Sequence, residues 1–166
     1  MPHRLTLLDA TLDLLDAAME SEDRLRGLLD ADLAEGWVTF PEALPYLREV
    51  RARDPESAWG TLLFVQTNPR VLVGMGGFKG APSDEGMVEI GYGIAPAHRG
   101  QGLATLAAQA MVRRAFEDPR VNVVRAHTLA APNASTRVLG HVGMVRIAEH
   151  VEPEVGPVWL WELRRR

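Results

Sequence analysis

The sequence predicts a mixed α+β domain built on a central sheet. Three observations carry this reading. Apolar residues recur at helical spacing before residue 33 and again after Leu103. Three runs rich in β-formers lie between residues 59 and 94, separated by short turn signals. A strand, a short helix and a hairpin then close the chain. The 166 residues suit one domain spanning 1–166, which should bury roughly 70% of its unfolded surface.

Taken in order, residues 4–8 form an opening strand. Leu12, Leu15 and Met19, then Leu25, Leu28 and Leu29, place one or two helices over 11–33. Residues 36–40 are a loop carrying Trp37 and Phe40, and Pro41 suits the first turn of a helix to about Arg53. Strands follow over 59–66, 71–78 and 87–94, broken at Asn68-Pro69 and at a glycine-bounded stretch around Pro82-Ser83-Asp84. In the helix over 103–117, Thr105, Gln109, Arg113 and Glu117 repeat every fourth position, so, Arg114 apart, the rest of the cylinder is apolar and the helix mostly buried. Residues 121–129 are a strand and 133–143 a short helix. The hairpin pairs 145–151 with 158–163 around Gly156-Pro157.

Composition removes several classes of function. Hydrophobic residues make up 46% and charged residues 24%, the balance of an ordinary globular protein. Cysteine is absent, which excludes disulfides, a thiol nucleophile and a cysteine-based zinc site. Asp9, Asp13 and Asp16 interrupt the apolar start, so a signal peptide, a membrane span and a membrane partner are not expected, and a cytoplasmic protein is. The net charge of −4 argues against nucleic acid as a partner. Arg164, Arg165 and Arg166 read as a solvated basic end. His3, His98, His141 and His150 show no metal-ligand spacing, and no metal is expected.

The informative stretch is HRGQGLAT, residues 98–105. Two glycines and an arginine stand between a strand and a helix. This is either a flexible turn or a backbone cradle for an anion. In the second case glycine admits positive φ and close approach, the first N–H groups of the helix point outward, and Arg99 adds charge. A Walker A loop is excluded because the Lys-Ser/Thr ending is missing.

Arg99-Gly100-Gln101-Gly102-Leu103-Ala104 fits the Arg/Gln-x-x-Gly-x-Gly/Ala motif, and the chain resembles the GNAT superfamily of N-acetyltransferases. EIGYGIAPAHRGQGLAT and AHTLAAPNASTRVLGHVGM resemble the branch holding the ribosomal-protein N-terminal alanine acetyltransferases. The resemblance covers essentially the whole chain. It implies the GNAT fold, a mixed, mostly antiparallel central sheet flanked by helices, with acetyl-CoA as co-substrate. Backbone N–H groups of Arg99, Gly100, Gln101, Gly102, Leu103 and Ala104 would hold the CoA pyrophosphate. The pantetheine arm would run along the strand that ends at Ile94, with Gly91 and Gly93 either forming a bulge or relieving packing.

The same resemblance assigns further roles. Glu89 is the expected general base; alternatively it only pairs with a neighbour. A backbone N–H near Gly93 or Ile94 would meet the developing oxyanion. The position where many relatives carry an acidic tyrosine is Leu139 here, and Ser135 fits the serine of the resembling branch. Asn133 is either a helix cap or a cofactor contact. Trp37 and Phe40 either shape the acceptor pocket or belong to the core. His127 is either a core histidine or a slot residue. The expected function is direct acetyl transfer in a ternary complex to a primary amine, on a peptide N-terminus or a small molecule. The alternative is a non-catalytic acyl-CoA sensor. Oligomeric state stays open, with a homodimer among the outcomes.

Overall fold

A computed structural model describes residues 4–166, and His3 lies outside the described residues. The α+β prediction holds. The elements are β1 (Arg4–Asp9), α1 (Leu12–Glu20), α2 (Glu22–Leu29), β2 (Asp32–Leu33), α3 (Leu44–Arg53), β3 (Thr61–Thr67), β4 (Val71–Phe78), β5 (Met87–Ile94), α4 (Leu103–Phe116), β6 (Val123–Leu129), α5 (Ala134–Val142), β7 (Val145–Glu152) and β8 (Gly156–Arg164). Two compact units divide the chain, one of Met1–Gly77 with Tyr92–Ala107 and one of Phe78–Gly91 with Ala108–Arg166.

In the first unit β1, β3 and β4 run antiparallel in that order, and β2 adds a short parallel pairing of Asp32 and Leu33 with Val71 and Leu72. Sequence periodicity assigns Asp32 and Leu33 to a helix, and the structure corrects this. Ser21 caps α2 through its side chain, and Asp30 stops that helix in the left-handed conformation at φ 49°. The chain then leaves as a strand. Leu15, Leu25, Leu29, Trp37, Leu44, Leu63, Val65 and Leu72 are buried together as the core of this unit. Pro41 opens a three-residue 3-10 turn, and α3 begins after it at Leu44.

The second unit is organised around β8, which pairs antiparallel with β6 on one side and β7 on the other. β5 joins β6 in parallel, with Met87, Val88 and Glu89 opposite Val123, Val124 and Arg125. β8 starts at Gly156, so the hairpin turns at residues 153–155 rather than at Gly156-Pro157. Glu154, with φ 70°, makes that reversal. Arg165 is no idle end of the chain. Its Nε donates to the Val121 carbonyl at 2.8 Å, and Nη2 donates to those of Phe116 and Asp118 at 2.8 and 2.9 Å. A cation at the last carbonyls of α4 suits the helix dipole. No helix of the described residues is long and apolar enough to cross a membrane.

Candidate functional site

The glycine turn has the backbone that the sequence implies. Pro96–His98 form a 3-10 turn after β5, and Gly100 and Gly102 follow with φ of 77° and 80°. Side-chain-bearing residues rarely adopt that region. A Cβ at either position would meet nothing within 4 Å, so conformation, not crowding, calls for glycine here. The first bond into α4 runs from Leu106 N–H to the Gly102 carbonyl at 3.1 Å. The N–H groups of Leu103, Ala104 and Thr105 therefore have no carbonyl inside the helix, and they project with the positive end of its dipole. Arg99 folds back so that its Nε donates to the Ile94 carbonyl at 3.0 Å, tying the turn to the end of β5. Leu103 and Ile94 are buried; Arg99, Gly100, Gln101 and Gly102 are exposed. Open backbone, outward N–H groups and an adjacent guanidinium fit a diphosphate.

Glycine serves a different purpose at Gly93. A Cβ there would run into the Thr39 side chain, and one on Gly74 would strike the Gly93 carbonyl. The structure thus gives Gly93 a packing role. At Gly91 an added Cβ would meet only Lys79 Cε at 3.8 Å.

Glu89 is the centre of the second cluster. Its side chain is 17% exposed, with Oε2 paired to Lys79 Nζ and Oε1 lying 3.1 Å from His127 Nδ1. Lys79 is the only lysine of the chain, and its backbone N–H also donates to the Glu89 carbonyl at 2.9 Å. Opposite Glu89, Arg125 turns to the buried Glu162, which it meets at 3.1 Å. His127 packs edge-on against His150 with ring centroids 5.1 Å apart, and His150 Nε2 lies 2.8 Å from Glu152 Oε1.

The remaining expected residues fall in several places. Asn133 caps α5 in a capping box: its side chain accepts from Thr136 N–H at 2.9 Å, while Thr136 Oγ1 accepts from Asn133 N–H at 3.0 Å. Ser135 stands in the first turn of that helix, and Leu139 is fully buried. Trp37 is buried in the core of the first unit, whereas Phe40 is 64% exposed. Sequence reasoning passed over Lys79 as a partner of Glu89, and over His150 and Glu152. Strand alternation places Lys79 nowhere near Glu89 in the sequence pattern; the turn between β4 and β5 brings them together.

A family model described as an acetyltransferase (GNAT) domain matches residues 4–145. The chain is 28% identical over 146 residues to the uncharacterized N-acetyltransferase YjdG of Bacillus subtilis, covering 86% of this chain and 87% of that one. Solved structures resemble it at lower identity. Spermidine N-acetyltransferase from Vibrio cholerae, in complex with CoA and spermine, matches with a TM-score of 0.67 at 14% identity over 98% of this chain and 95% of its own. The ribosomal-protein-S5-alanine acetyltransferase from Vibrio fischeri matches with a TM-score of 0.66 at 15% identity over 99% and 93%. At such identities the likeness is one of fold, and it is as good for one as for the other.

Proposed function

The chain belongs to the GNAT family of acetyl-CoA-dependent acetyltransferases, and from that premise we propose that it acetylates an α-amine directly, within a ternary complex. The observation that carries the reading is the pair of left-handed glycines ahead of α4. They leave the N–H groups of residues 100–104 to take the CoA pyrophosphate; the Arg99 N–H, expected among them, donates instead to the Pro96 carbonyl at 3.3 Å, so Arg99 would contribute its side chain alone. Acetyl-CoA supplies the activated acetyl group.

This chain's own residues supply orientation and proton transfer. An ammonium has no lone pair, so the amine must lose a proton before it attacks. Glu89 takes that proton, directly or through a water. Lys79 and His127 fix its two oxygens, so the carboxylate keeps one orientation. A single carboxylate base suits an acceptor that needs little help. An α-amine, with a pKa of about 7.7–8.0, is partly neutral at pH 7, whereas a lysine-type amine near 10.4 is not. The Asn133 side-chain oxygen and backbone N–H are committed to the helix cap, and its side-chain NH2 would serve the cofactor. Ser135 stands as hydrogen-bond partner to the departing sulfur, with water providing its proton.

The acceptor class is tested by thiol release from acetyl-CoA with Ala- and Ser-starting peptides, the same peptides with blocked N-termini, polyamines and aminoglycosides. Release confined to the free N-termini is expected. Release with polyamines or aminoglycosides alone would replace the α-amine by a small-molecule acceptor.

A further inference from the structure

We propose that His127, His150 and Glu152 form a binding site for a divalent first-row transition ion of the zinc type. One ring nitrogen from each histidine and a carboxylate oxygen of Glu152 lie within 4.8 Å of one another. Two imidazoles and a carboxylate are a donor set that zinc takes with a fourth position left to water. All three ligands belong to the second unit and to its β6-β8-β7 ribbon. His127 stands opposite Leu160 on one side of β8, while His150 and Glu152 stand opposite Val158 and Gly156 on the other. The two rings meet edge-on with centroids 5.1 Å apart.

The arrangement behind His127 is what separates this cluster from a chance meeting of polar side chains. Glu89 Oε1 lies 3.1 Å from His127 Nδ1. With a carboxylate at Nδ1, that nitrogen carries the proton and Nε2 carries the lone pair. A carboxylate that sets the tautomer of a ligating histidine is the usual partner behind a zinc-bound imidazole. Binding requires the His150–Glu152 hydrogen bond of 2.8 Å to give way to two bonds to the metal. It also requires the 4.8 Å spread to close to the roughly 3–3.5 Å between neighbouring ligands of a tetrahedral ion. The site does not depend on the acetyl-transfer reading, because every group in it can be tested with the metal alone.

The test is calorimetric titration of the tag-free, chelator-stripped full chain with zinc chloride. Saturable binding of one ion per chain is expected. His127→Ala and His150→Ala should each weaken it by about a hundredfold or more, and Glu89→Gln by about tenfold, the range for a residue behind a ligand. His141→Ala, on α5, should bind as the parent does. Zinc should raise the melting midpoint of the parent but not that of His150→Ala, a variant on an exposed strand whose folding circular dichroism confirms. Absence of saturable heat, or unchanged affinity in His150→Ala, overturns the proposal.

Discussion

Glu89 on β5 and His127 on β6 meet at 3.1 Å, and Lys79 holds the other oxygen of the same carboxylate. The expected base is therefore oriented from two sides. Glu89→Gln preserves its shape and removes its ability to take a proton. Turnover should fall about 10²- to 10⁴-fold, with acetyl-CoA affinity held within about twofold. Stopped-time thiol assays beside CoA titration measure both. An equal loss of binding and turnover would mean that Glu89 holds the cofactor instead.

Gly102→Ala tests the cradle. Nothing crowds the position, so the penalty is the left-handed backbone alone, about 1–2 kcal/mol. If the loop relaxes to avoid it, acetyl-CoA affinity should drop by about five- to thirtyfold. Calorimetric CoA titration reads this directly, and unchanged affinity would remove the turn from the cofactor site.

Trp37 and Phe40 should part company on substitution. Trp37→Ala empties a core position and should cost about 3–5 kcal/mol in denaturant unfolding. The exposed Phe40 should tolerate alanine within about 0.5 kcal/mol, while the KM for the acceptor rises if it borders the acceptor pocket. An unchanged KM would leave Phe40 a bare surface residue.

Acid stability should report the Asp118–Arg120 pair. The Arg120 guanidinium, hydrogen-bonded to Asp118 at 2.8–3.2 Å, holds that carboxyl below its usual range. A carboxyl depressed on folding stabilises above its unfolded pKa, about 3.9, and this stabilisation is lost as pH falls through the lower folded value. The parent should thus melt above Arg120→Ala at neutral pH, and the gap should close below about pH 4. A gap independent of pH would assign it to packing rather than charge.

Arg165→Ala should lower stability by about 1–2 kcal/mol, since it removes three hydrogen bonds to the carbonyls of Phe116, at the end of α4, and of Asp118 and Val121 in the turn that follows. Chemical unfolding measures the loss, and Arg166→Ala is the neutral comparison.

Much of this was legible in the sequence. The alternation of β-formers and the four-residue rhythm of polar positions in α4 mark the central strands and the buried helix without ambiguity. The glycine turn was legible because its left-handed backbone calls for glycine at Gly100 and Gly102. What escaped rests on contacts that no local pattern records. β2 is two residues long, and it exists because Asp30 reverses the chain toward β4. The hairpin turn slipped because Glu154 takes a left-handed conformation at φ 70°, while Gly156, also at positive φ, already pairs with Glu152. His127, His150 and Glu152 become neighbours through the register of two strands on β8, which is a tertiary fact. Arg165 looked like one of three solvated arginines until the turn after α4 supplied its carbonyls.

The central claim is acetyl transfer from acetyl-CoA to a primary amine, and it is tested most directly by following both products. The parent and Glu89→Gln are incubated with acetyl-CoA and an Ala-starting peptide, and free thiol and peptide mass are recorded together. The account predicts thiol release matched by one acetyl group gained at the peptide N-terminus, and near-silence from Glu89→Gln. Tight acetyl-CoA binding with neither product, across peptides and small amines alike, would contradict it and make the chain an acyl-CoA sensor.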